Sequence, residues 1–126
     1  MLGSMDIIAF VPTRDRKKAR PFYEKTLGLS FVSDDQFALV FEANGVLVRV
    51  VDVSSVAGFE PAPFTILGWS VGDIGKIVKG LGKKGIKFER FPGMQQDLLG
   101  VWSSPSGAKV AWFKDPDGNV LSVTEA

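Results

Sequence analysis

The chain has 126 residues, of which 45% are hydrophobic and 23% charged, and its formal net charge is +1. That balance fits one globular domain with a real core, and it gives no electrostatic reason to bind nucleic acid or an anionic membrane. There is no cysteine and no histidine, which excludes disulfides, thiolate catalysis, zinc-finger sites and the Ser-His-Asp and Cys-His mechanisms, and leaves only oxygen ligands for any transition metal.

Residues 1–4, before Met5, read as a cloning remnant and are set aside, so the expected domain is 5–126. A first strand is expected over 6–12. Asp15 then offers an N-cap, because a short acceptor side chain can bond the free N–H groups of a first helical turn. Ala19, Phe22, Tyr23 and Leu27 follow at near-helical spacing. Pro21 cannot donate an interior helical bond, so the first regular turn is expected to begin close to it. Gly28 is a natural C-terminal stop. Strands are expected over 37–42 and 46–53, joined by the Ala43-Asn44-Gly45 turn. The segment 57–63, Ala-Gly-Phe-Glu-Pro-Ala-Pro, holds two prolines and reads as a linker.

A strand over 65–71 follows, then a helix capped by Asp73, with Ile74, Ile77, Val78 and Leu81 on its apolar face. Gly75, Gly80 and Gly82 each weaken that helix by roughly 1 kcal/mol relative to alanine. The lysines of 76–87 read as its wet face. Further strands are expected over 86–91, 100–103, 108–113 and 119–125. Turns are signalled by Pro105-Ser106-Gly107 and Asp115-Pro116-Asp117-Gly118.

The two halves match. Ile8 precedes Asp15 by the same seven residues that separate Ile66 from Asp73, and each helical segment ends in a glycine followed by apolar residues. This is a tandem duplication of about 55–60 residues, with modules over about 5–56 and 64–126. Each module reads β-α-β-β-β. Several strands are apolar on both faces. Val46, Val48 and Val50 oppose Leu47, Arg49 and Val51, and Ile7, Ala9 and Val11 oppose Ile8 and Phe10. The helix of its own module would cover one face of each sheet. The other module or a second subunit would cover the second, across a cavity or cleft.

The stretches Asp15–Leu29 (DRKKARPFYEKTLGL) and Ala111–Val123 (AWFKDPDGNVLSV), set in such a repeat, resemble the vicinal-oxygen-chelate superfamily, which includes glyoxalase I, extradiol dioxygenases and bleomycin-resistance proteins. The resemblance spans about 6–125. It implies an α+β fold of two tandem β-α-β-β-β modules whose curved mixed sheets surround a cleft. It also implies a homodimer and a small-molecule ligand. Metal-dependent members place a His, Glu or Gln on the first and last strands of each module. By motif those positions here are Ile8, Arg49, Ile66 and Ser122, none of which is a competent transition-metal ligand. The resemblance is therefore to the metal-free, ligand-binding side of the superfamily. No metal or other cofactor is expected.

Arg49 lies in an apolar strand, where a guanidinium needs an anionic partner. That partner is either a ligand carboxylate or phosphate, or an internal salt bridge, unless the strand end reaches water. Ser122 and Thr124 are candidates to hydrogen-bond a ligand or a bound water. A serine without a base is not a nucleophile. Phe10, Trp102 and Trp112 are candidate cavity aromatics, with plain core as the alternative. Trp69 alternates onto the helix side with Leu67 and Val71. The polar stretch 91–100 is a candidate lid or rim through Met94, Gln95, Gln96 and Asp97, or else a surface loop. Asp97 is the carboxylate singled out to meet Arg49 or a cationic ligand. The Asp-Pro-Asp-Gly-Asn segment lacks the length and distal glutamate of an EF-hand and reads as a tight turn.

No apolar run reaches the ~20 residues of a membrane-spanning helix, and no signal peptide is visible. A cytoplasmic location is expected. The leading expectation is a metal-free protein that sequesters or senses a hydrophobic or aromatic compound, neutral or anionic. The second is a metal-independent enzyme of isomerase or lyase type, acting on a small acidic substrate through Arg49 and Asp97 or Glu89. The third is a non-catalytic partner-binding module.

Overall fold

A computed structural model describes all of residues 1–126. The chain divides into two compact units, Met1–Glu60 and Pro61–Ala126.

In the first unit, β1 (Ile8–Thr13), β2 (Ser30–Asp34), β3 (Ala38–Ala43) and β4 (Val46–Asp52) form one sheet in the order β1-β4-β3-β2. β1 runs parallel to β4, and the other pairs are antiparallel. Helix α1 (Arg16–Pro21) is capped by Asp15, whose Oδ1 accepts from the N–H of Lys17 at 3.0 Å and of Lys18 at 3.3 Å. Pro21 closes this helix rather than opening it. A π-helical turn, Phe22–Thr26, follows, with the Leu27 N–H donating to the Phe22 carbonyl at 2.9 Å. Pro21 has no N–H to give the Lys17 carbonyl, so the regular ladder is already broken where the π-helical turn begins. That turn buries Tyr23 against Phe41 of β3, which in turn meets Phe31 edge-on. Val11, Thr13, Leu39, Phe41, Val48 and Val50 form the buried helix-side face.

β2 was not among the expected strands. Ser30, Ser33 and Asp34 hide its period, and a bulge at Val32 shifts its register against β3. It is a short, largely exposed edge strand, as edges commonly are.

The second unit holds β5 (Thr65–Ser70), α2 (Ile74–Lys83), β6 (Trp102–Ser103), β7 (Lys109–Lys114) and β8 (Val120–Glu125). Its sheet runs β5-β8-β7-β6, with β5 parallel to β8 and the remaining pairs antiparallel. Asp73 caps α2 by accepting from the Lys76 N–H at 3.1 Å. Ile74 and Val78 are buried, but Ile77 stands on the exposed side. The sheet face toward α2 carries Ala111, Phe113, Leu121 and Val123, all buried. Trp69 stacks on Phe113 at 6.5 Å, on the helix side as its alternation requires. Gly28 and Gly85 both adopt left-handed backbone, as helix stops do.

Residues 86–91 do not form the expected strand, and 100–103 shortens to 102–103. Glu89 keeps one ladder bond, its N–H donating to the Trp112 carbonyl at 2.8 Å, and the chain then leaves the sheet before Trp102 rejoins β7 opposite Val110. The edge strand is thus split by an excursion through 90–101. The Asp-Pro-Asp-Gly-Asn turn is closed by Asp115. Its Oδ1 accepts from the N–H groups of Asp117 and Asn119, both at 2.9 Å, and its Oδ2 accepts from the Asn119 side chain at 2.8 Å. Both sheets are four-stranded, mixed and open rather than closed into a barrel.

Candidate functional site

Strand alternation in the second sheet gives a face opposite α2. β5 contributes Thr65, Gly68 and Ser70 to it; β8 contributes Val120, Ser122 and Thr124; β7 contributes Val110, Trp112 and Lys114. Gly68, Ser122 and Trp112 are consecutive partners across three strands. Trp102 lies 6.1 Å from Trp112 between ring centroids, and Phe91 meets Trp112 edge-on at 5.4 Å. Ser122 is 6% exposed. No hydrogen bond within the chain engages its hydroxyl, and no buried polar side-chain atom lacks a partner. The Ser122 hydroxyl is therefore open to an approaching group. At the Val120 end, Pro63, Phe64, Thr65, Phe91, Met94, Trp112 and Val120 line an open cleft of about 340 Å³. The only charged side chain in these face positions is Lys114, whose Nζ lies 3.8 Å from Glu89 Oε1.

The loop 90–101 forms a braced rim. Gln96 sits inside it, its amide nitrogen donating to the Glu89 carbonyl at 2.9 Å and the Gly100 carbonyl at 2.8 Å, while its Oε1 accepts from the Phe91 N–H at 2.9 Å. Arg90 Nη2 donates to the Leu98 carbonyl at 2.9 Å. Asp97 Oδ1 accepts from the N–H groups of Leu99 and Val101, both at 2.9 Å. The carboxylate singled out for Arg49 thus shapes a turn of its own loop. Met94 lines the cleft, whereas Leu98 stands fully exposed at the tip.

In the first sheet, Ile8, Phe10, Leu47, Arg49 and Val51 share the face away from α1. Phe10 is paired in register with Arg49 and is 60% exposed. Arg49 Nη2 lies 3.2 Å from Asp35 Oδ2, and both side chains are partly exposed. The Phe37 and Ala38 N–H groups, each donating to Asp35 Oδ1 at 2.8 Å, hold this carboxyl below its ordinary range, and the Arg49 charge lowers it further. Arg16 ties the same β2–β3 turn to the end of β4. Its Nε donates to Asp52 Oδ2 at 3.0 Å, Nη2 to the Asp35 carbonyl at 2.8 Å, and Nη1 to Asp34. Hydrogen bonding to Asp34, then to Asp52, raises the Arg16 pKa. Asp35 escaped the sequence reading because it reaches Arg49 across a turn, with no periodic signal; only its place in an acidic pair before a strand hinted at capping.

The family described as "Glyoxalase/Bleomycin resistance protein/Dioxygenase superfamily" matches residues 5–123. The chain belongs to that superfamily. A search among curated proteins gives no significant match. Among solved structures, a superfamily member from Sphaerobacter thermophilus DSM 20745 aligns with TM-score 0.76 and 22% identity, over 100% of both chains. The lactoylglutathione lyase from Agrobacterium tumefaciens aligns at 0.74 with 19% identity, over 98% of this chain and 94% of that one. TnmS3, an antibiotic-binding protein from Streptomyces sp. CB03234, aligns at 0.69 with 22% identity, over 99% and 98%. These likenesses establish the fold.

The superfamily includes metal-dependent enzymes, so the four positions its ligands occupy must be tested against this chain. Ile8 and Ile66 are aliphatic, and Ile66 sits at a bulge between Thr65 and Leu67. Arg49 is a cation already paired with Asp35. Ser122 offers one neutral hydroxyl. No group of three or more Asp or Glu side chains elsewhere is arranged to hold a metal ion. The donor set does not fit a divalent transition metal.

Proposed function

We propose that this chain binds a small hydrophobic or aromatic compound without a metal, and that it sequesters or senses that compound rather than transforming it. The observation that carries the reading is the row Gly68–Ser122–Trp112, walled by Trp102 and Phe91 and ending in the cleft at Met94. Stacking surface plus a few placed polar groups is the usual composition of a small-molecule site. The antibiotic-binding protein among the structural neighbours is consistent with this reading.

The acidic-substrate enzyme has less support. Arg49 is engaged by Asp35, Glu89 lies near Lys114, and Asp97 serves its own loop. None is left as an uncommitted catalytic pair. The reading includes a homodimer, supported by the exposed apolar residues Ile8, Phe10 and Leu47 on one face of the first sheet.

A thermal-shift screen of neutral aromatic compounds tests the function, because binding to the folded state alone raises its stability. Hits confirmed at one site per chain, with no turnover and no stoichiometric metal in elemental analysis, are expected. One nickel, zinc or iron per chain, removable by chelators with loss of an activity, would overturn it.

A further inference from the structure

Gly68 sits in the interior of β5, where glycine weakens a strand and where a close approach is the usual compensation. Its backbone gives no reason for the choice, since its φ lies outside the left-handed region that favours glycine. A Cβ placed there would stand 3.1 Å from Ser122 Oγ and 3.3 Å from the Ser122 carbonyl oxygen. The missing side chain therefore opens a notch directly over the one hydroxyl in the middle of this face. Beyond Ser122 on the same row stands the Trp112 indole.

Resting on the binding function proposed above, we infer that Gly68 determines the ligand class. The notch admits the hydrogen-bonding edge of a neutral planar aromatic molecule to Ser122 Oγ, while its ring lies against Trp112. Ser122 can donate or accept, so a phenol-type hydroxyl or a ring nitrogen suits it equally. A formal anion does not suit it, because the charged side chain nearest in register on this face, Lys114, is exposed at the end of β7 and lies beside Glu89.

The test is calorimetric titration with three probes: 2-naphthol, naphthalene and naphthalene-2-sulfonate. On the unmodified protein, 2-naphthol should bind about fivefold more tightly than naphthalene, the size of one neutral hydrogen bond. The sulfonate should bind more weakly than 2-naphthol. Ser122→Ala should erase the difference between naphthol and naphthalene. Gly68→Val should weaken all three probes by tenfold or more, and Gly68→Ala, the smaller change, should weaken 2-naphthol measurably. Thermal melts confirm folding, and Gly68→Ala with Ser122→Ala decides the matter if the valine variant does not fold. Equal naphthol affinity in the unmodified protein and both glycine variants would overturn the role of Gly68 and leave the binding function standing. Tighter binding of the sulfonate than of naphthol would overturn the neutral-ligand assignment. Failure of 2-naphthol and naphthalene alike to bind the unmodified protein would remove the aromatic-binding function itself, and this inference with it.

Discussion

At the scale of single residues, charge on the first sheet is spent on holding a turn. Arg49, a cation interrupting an apolar strand, was open to two readings, a ligand grip or an internal salt bridge, and Asp35 meets it from the β2–β3 turn. Because the pair is partly exposed, removing one partner leaves no buried charge. Arg49→Met should therefore shift the melting temperature by no more than a few degrees, the scale of a surface ion pair. It should leave binding of a neutral aromatic compound unchanged. A loss of anion binding in that variant would restore Arg49 as a ligand contact. The acid limb follows from the same turn. Asp35 is lowered chiefly by the Phe37 and Ala38 N–H groups, and Asp52 chiefly by hydrogen bonding to Ser54. Carboxyls depressed in the folded state stabilise it above their unfolded pKa of about 3.9, and that contribution is lost as pH falls through the lower folded values. Stability measured by urea titration should fall as pH drops below about 4, and Asp35→Asn should flatten that slope. An unchanged slope would show that this turn does not couple to folding.

Among the elements, the ones written in a repeating pattern were legible and the ones shaped by exceptions were not. Asp15 and Asp73 announced two helices, and Gly28 and Gly85 their ends, because caps and stops are local chemistry. The alternation that placed Trp69 on the helix side also survived intact. Residues 86–91 failed for a non-local reason. Ile86-Lys87-Phe88-Glu89 alternates like a strand, but the excursion through 90–101 leaves only Glu89 bonded to β7. What stands in for the missing ladder is one side chain, Gln96, which satisfies two carbonyls and one N–H. Gln96→Ala should destabilise the protein by about 1–3 kcal/mol, since three part-buried groups lose their partner at once. The Phe91 amide should lose hydrogen-exchange protection ahead of the strands. Gln96→Glu should do no better, because a carboxylate faces the Glu89 and Gly100 carbonyls without a donor. A neutral Gln96→Ala would mean that water takes over all three bonds and that the loop is not braced.

For the whole molecule, the exposed apolar face of the first sheet is the feature that bears on assembly. Ile8 at 46%, Phe10 at 60% and Leu47 at 39% exposure share that face with the Arg49–Asp35 pair. Full burial of each such side chain is worth about 1.5–3 kcal/mol. Because the three are already about half-buried, completing their burial adds roughly 2–5 kcal/mol, which by itself falls short of most of the roughly 4–15 kcal/mol that association costs in lost freedom. A stable dimer therefore needs this patch at its centre and further contacts around it. Phe10 is the residue on which such an interface would turn, as the largest and most exposed of the three. The unmodified protein should scatter light as a dimer at micromolar concentration. Phe10→Asp should shift it to a monomer, because it removes the largest apolar contribution and places a desolvated carboxylate at the interface. Its own fold should persist, since Phe10 faces away from the buried side that holds Val11 and Val50. A monomer mass for the unmodified protein would remove the second copy as the cover. A dimer indifferent to Phe10→Asp would move the interface away from this face.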